Sequence, residues 1–175
     1  VAIPLKEVGP TTLQGTTVQF KADPLIFTET VEYDHDVLRD RLRQMAFLNK
    51  GIEIRFIDER LEDDKQVQIF KYDDGLKEYI EFINRNKVAI HPGIIYVEEE
   101  KDEIIVEIAM KYNDGFVPNI YSFCNNISTA EGGTHEDGFR LALTRIINNY
   151  AKEHGMLKKD DDNFSGDDVR EGLSA

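Results

Sequence analysis

The stretch Glu103-Ile104-Ile105-Val106-Glu107-Ile108-Ala109-Met110-Lys111-Tyr112, followed at once by Asn113-Asp114-Gly115, decides the fold. Its β-branched, half-alternating run predicts a strand longer than the roughly five or six residues that are usual. Asn, Asp and Gly then break it, because these residues take the left-handed conformations that tight turns require. Upstream, Ile94–Glu98 reads as a second strand, joined through Lys101-Asp102. Downstream, Asn119–Asn125 reads as a third, so the three form a meander.

Working outward, Asp73-Asp74-Gly75 opens a helix with Leu76, Tyr79, Ile80 and Ile83 on one face, and Asn84–Lys87 closes it. Before it, Ile52–Ile57 and Val67–Tyr72 alternate and predict a hairpin around the charged turn Asp58–Lys65. A helix from Asp34 or Asp36 to Asn49 precedes that hairpin. Either Asp can cap it; Leu38, Leu42, Met45 and Phe47–Leu48 keep a helical spacing, and Lys50-Gly51 stops it. Nearer the start, Thr16–Phe20 alternates as an extended segment that Asp23-Pro24 ends. On the other side of the meander, Thr134–Glu153 is the longest predicted helix, with Phe139, Ala142, Leu143, Ile146, Ile147 and Tyr150 as its apolar stripe. Lys158–Asn163 reads as a solvated loop, and Gly172–Ala175 as an end without a closing element. The order predicts an α+β fold, a mainly antiparallel sheet with helices packed on it.

The 175 residues suffice for one buried core, or for one domain with part of another. A formal net charge of −13 argues against a general nucleic-acid-binding domain, so any contact with DNA must come from a local basic face. Cys124 is the single cysteine, which excludes an internal disulfide and a multi-cysteine zinc site. Its place in the run Ile120–Cys124 predicts a buried small hydrophobe. His35, His91, His135 and His154 lie far apart, so no metal site is assigned. No apolar run approaches the roughly 20 residues of a membrane span, and no signal-peptide pattern opens the chain. A cytoplasmic protein fits.

No phosphate loop or dinucleotide fingerprint is present, and Ser122, Ser128 and Ser165 lack a nucleophile-elbow context. No catalytic residue is therefore assigned. The densest polar cluster is Gly132-Gly133-Thr134-His135-Glu136, just ahead of the long helix. Two readings stay open there. One is an anion contact on the amides and dipole of a helix start. The other is a tight turn in which Thr134 caps the helix and Asp137 completes a variant capping box. The residues alone indicate a binding or coupling domain, and a freestanding interaction module of the same shape stays open.

Five segments, in order, resemble the B subunit family of DNA gyrase and topoisomerase IV. They are Gly15–Phe20, Ala46–Gly51, Tyr112–Phe116, the block from Asn125 through Glu131-Gly132-Gly133-Thr134-His135-Glu136-Asp137-Gly138-Phe139-Arg140 to Arg145, and Gly166–Leu173. The resemblance implies that residues 1–23 are the tail of an ATPase domain. Residues 24–175 would be a transducer domain, incomplete at its C-terminal end, with a ribosomal-protein-like βαβ fold. It implies that Thr16 holds the adenine end of ATP, against a plain strand residue. Arg140 and Arg145 would be basic groups guiding duplex DNA, against salt bridges to nearby acids. Both lie off the apolar stripe of the long helix. The parent enzyme would use ATP and Mg, pair with the gyrase A subunit or its topoisomerase IV counterpart, and close as a homodimer of B subunits on binding ATP. The family's catalytic glutamate, its magnesium-holding asparagine and its phosphate lid would precede these residues, and its γ-phosphate lysine would follow them. The chain alone is thus expected neither to bind nor to hydrolyse ATP, and no cofactor is expected on it.

Overall fold

The computed structural model describes residues 4–18, 21–62, 66–158 and 161–175. The chain divides into two units, Val1–Asp34 and His35–Ala175. In the first unit the described residues form no helix or strand. Thr16–Val18 is irregular instead of the expected strand, while Gln19 and Phe20 lie outside the described residues. An alternating pattern makes a strand only where a ladder partner exists. Asp23 organises a turn, accepting the Leu25 amide on its side chain (2.9 Å) and the Phe27 amide on its carbonyl (2.9 Å).

The second unit begins with α1 (His35–Phe47), followed by the antiparallel hairpin β1 (Glu53–Ile57) and β2 (Val67–Lys71). Alternation decides which face is covered: Ile54, Phe56 and Phe70 turn inward while Arg55, Ile57 and Ile69 face out. Phe47 is 1% exposed and stacks on Tyr72 with ring centroids 3.6 Å apart, which fixes α1 on the hairpin. Helix α2 (Leu76–Asn84) buries Tyr79, which stacks on Phe47 with ring centroids 5.0 Å apart, and Ile80. Within the expected turn, Asp63–Lys65 lie outside the described residues, but Asp58 is buried. Arg60 donates to it from Nε (2.8 Å) and Nη2 (2.7 Å), and His35 Nδ1 lies 2.9 Å from its Oδ2.

Strands β3 (Ile95–Lys101) and β4 (Ile104–Tyr112) pair antiparallel from Ile95↔Met110 to Lys101↔Ile104. The expected third strand is corrected. Only Asn119–Tyr121 runs along the sheet, and its ladder partner is not β4. Beside β4 lies β7 (Leu173–Ser174), with Lys111↔Ser174 and Tyr112↔Leu173 in antiparallel register. Asn119 pairs with Ser174 in parallel, through Asn119 N–H to Leu173 O at 2.7 Å and Ala175 N–H to Asn119 O at 3.0 Å. After Tyr121 the chain turns into a two-residue hairpin, β5 (Phe123–Cys124) and β6 (Ile127–Ser128), around Asn125 and Asn126, both at positive φ. That turn leaves Cys124 exposed, not buried as its alternating run suggested.

Parallel neighbours need a crossover. Here α3 (Thr134–Glu153) supplies it between Asn119–Tyr121 and β7, so a β-α-β unit closes the antiparallel sheet. The residues from Gly172 onward are therefore a buried closing strand, contrary to the open end expected. Leu173 and Ser174 are fully buried, and Leu173 forms a core with Leu143 and Val169, against which Phe139 and Ile147 pack. The expected stripe of α3 is also shifted: Ile146 is 61% exposed, while Asn148 and Ala151 are buried. The cause is Asn148, whose side-chain amide grips the Phe164 backbone in both directions (2.8 and 2.9 Å) and turns that side of the helix inward.

Candidate nucleic-acid interface

The polar turn ahead of α3 resolves first. Gly132 and Gly133, both at positive φ, bring the chain to Thr134, the first helical residue. Gly133 is the N-cap and no side chain caps the helix there, which corrects the capping role expected of Thr134. A capping box does occur, between Ser165 and Asp168 at the start of α4 (Gly166–Arg170). The side chains of the turn form a chain of hydrogen bonds instead. His135 Nε2 lies 3.0 Å from the Thr129 hydroxyl, which lies 2.8 Å from Ser122 Oγ. Ser122 donates to Glu136 Oε2 (2.6 Å), and Arg140 Nη2 donates to Glu136 Oε1 (2.6 Å). Ser122 and then Arg140 hold the Glu136 carboxyl below its usual range. Glu136 thus places a carboxylate in the first turn of α3, where the helix dipole favours one, and Arg140 pairs with it.

Beyond the turn, α3 and the segment leading into α4 enclose a groove of about 540 Å³. Four cations line it: Arg140, Arg145 and Lys152 from α3, and Arg170 from α4. Arg140 is half-buried against Glu136; Arg145 and Lys152 are exposed. Asp167, the ion-pair partner of Arg170, is 99% exposed. This is a local basic face of the kind that a −13 chain requires for contact with a polyanion.

The DNA gyrase B family model matches residues 75–175, more than half of the chain. The chain belongs to the DNA gyrase B family. Among its relatives, the DNA gyrase B subunit of a Staphylococcus aureus strain is 50% identical over 171 residues, 98% of this chain and 27% of that protein. The Staphylococcus epidermidis counterpart is 48% identical over the same share of this chain and 26% of its own length. The chain spans about a quarter of the length of these relatives. A crystal structure of the 43K ATPase domain of Thermus thermophilus gyrase B, in complex with an aminocoumarin, superposes with a TM-score of 0.72 at 28% identity. The match covers 86% of this chain and 40% of that one. The gyrase B-subunit structure from Myxococcus xanthus shares the fold (TM-score 0.70, 20% identity, 83% of this chain and 39% of that one).

In this gyrase B family chain, the structure brings Arg140 and Arg145 into one groove but keeps Gly132–His135 in the separate turn. Thr16 lies in the first unit, exposed. Sequence reading missed Lys152 and Arg170. Lys152 was findable, since it follows Arg145 by two helical turns and so shares its face. Arg170 was not, because nothing local says that α4 folds back onto α3. Among the described residues, no group of three His, Cys, Asp or Glu could hold a metal ion, and no helix is long and apolar enough to cross a membrane.

Proposed function

We propose that this chain is part of the B subunit of an ATP-dependent type IIA DNA topoisomerase, with residues 1–23 as the tail of its ATPase domain and 24–175 as its transducer. Its work is coupling: ATP-driven closure of a B-subunit homodimer, in complex with the A subunit, is converted into passage of one duplex through another. The observation that carries this reading is a four-cation groove on an otherwise acidic member of the gyrase B family. Arg140 and Arg145 guide the passing duplex there, and the surrounding negative charge limits tight holding. Thr16 contributes to the adenine end of the nucleotide, and the chemistry on ATP and magnesium belongs to residues outside this set. No residue here is assigned as a magnesium ligand. The chain by itself is expected to give no saturable heat with a non-hydrolysable ATP analogue, and a clear isotherm would contradict that.

The test uses the parent protein, the A subunit, relaxed plasmid and ATP, with plasmid topology read on a gel. ATP-dependent negative supercoiling is the outcome for gyrase. Relaxation or decatenation without supercoiling assigns the topoisomerase IV counterpart. Absence of all three activities would overturn the coupling reading.

A further inference from the structure

The groove between α3 and α4 carries more than two arginines, and its deepest member has an unexplained feature. Arg170 is 16% exposed, and its Nε is buried with no hydrogen-bond partner among the described residues. A buried guanidinium nitrogen without an acceptor is costly. Among the described residues, the carboxylate that Arg170 meets is that of the exposed Asp167, at 3.0 Å, and such a pair is weak. Gly166 lies against the guanidinium: a Cβ there would come within 2.7 Å of Arg170 Nη1. The absence of a side chain at Gly166 therefore lets the guanidinium sit where it does. Across the groove, Arg145 and Lys152 stand two turns apart on α3, and no ion pair to either occurs among the described residues. Arg140, by contrast, is occupied by Glu136.

We infer that Arg170, Lys152 and Arg145 form a phosphodiester-binding track, with Arg170 as its deep anchor and the backbone of a DNA duplex as its ligand. The inference rests on the DNA-guiding reading above and assigns it a different set of residues. Arg170 offers a planar fork that matches phosphate oxygens, while Lys152 and Arg145 add exposed charge along the helix. Asp167 yields its place to phosphate at little cost, because an exposed pair is weak. Such contacts are blind to base sequence and steep in salt.

The experiment titrates the 175-residue chain into a short labelled DNA duplex over a series of salt concentrations. The wild type is expected to bind with affinity that falls steeply as salt rises. Arg145→Gln, Lys152→Gln and Arg170→Gln each make the slope of log affinity against log salt shallower by about one, equally for unrelated sequences. Arg55→Gln, on the outer face of the β1–β2 hairpin, leaves the slope unchanged. Since Arg170→Gln can loosen α4, Lys152→Glu is the companion variant; it lies on the exposed side of α3 and is expected to weaken binding more than Lys152→Gln. Unchanged slopes in the Lys152 and Arg170 variants, with a shallower one in Arg140→Gln, would overturn the track and leave the guiding role of Arg140 intact. No duplex binding by the wild type at low salt would also overturn it, and the plasmid assay on the parent decides the topoisomerase reading independently.

Discussion

At the scale of single residues, two positions bear directly on stability. Gly172 sits at φ +69°, and a Cβ there would lie 2.2 Å from Asn113 O and 2.8 Å from Gly115 O. Both neighbours are backbone, so neither can swing aside. Gly172→Ala combines left-handed strain with that clash and is expected to cost on the order of 2–4 kcal/mol in urea unfolding. A loss under about 0.5 kcal/mol, the range of neutral surface changes, would show that the backbones do not approach so closely. The second position is Asp58. The Arg60 guanidinium, with His35 beside it, holds its carboxyl well below the usual carboxylate range. A depressed folded pKa contributes stability that is complete above the unfolded value, about 4, and drains away as pH falls through the folded one. Asp58→Asn should therefore lag the wild type most at neutral pH, and the gap should narrow in acid. A gap independent of pH would mean that the ion pairs of Asp58 contribute nothing to stability. Neither residue was legible in the sequence. Gly172 reads as an end because the backbone it approaches, at Asn113 and Gly115, lies far back along the chain. Asp58 reads as one more acid in a charged turn because nothing local shows that it is buried against His35 as well as paired with Arg60.

At the scale of elements, what was legible followed locality. The α3 bounds, the β1–β2 hairpin and the β3–β4 pair all declare themselves through periodicity and turn residues within one segment. The closing strand β7 does not, since it has two residues and its pairing reaches back from Leu173 to Tyr112 on β4. The buried face of α3 was misjudged for a related reason. Asn148 looks polar on a helical wheel, yet it is spent on the Phe164 backbone, whereas Ile146 is left in water. Strand β7 is held by two means. Leu173 fills the core beneath α3 and α4, and Asn113 Nδ2 donates to Gly172 O (2.7 Å) while its Oδ1 accepts the Gly115 amide (3.0 Å). Leu173→Ala is expected to cost about 2–5 kcal/mol and to loosen α4 along with β7. The check is hydrogen exchange at the Asn119 and Val169 amides, bonded to Leu173 and Ser165 carbonyls. Unchanged protection at both would mean that β7 does not clamp the crossover.

At the scale of the molecule, the chain combines a large negative charge with one groove where α3 and α4 gather cations. That contrast suits guidance of a polyanion better than its capture. The coupling reading makes a prediction that a simple packing role for Arg140 does not. Coupling requires contacts that differ between states of the whole assembly, so loss of such a contact should uncouple two activities without abolishing both. The most direct measurement compares Arg140→Gln with wild type in the parent protein, reading strand passage on a plasmid gel and ATP turnover without DNA. Strand passage is expected to fall much further than DNA-free ATP turnover. Equal loss of both, or loss of neither, would refute the guiding role and reduce Arg140 to the helix partner of Glu136.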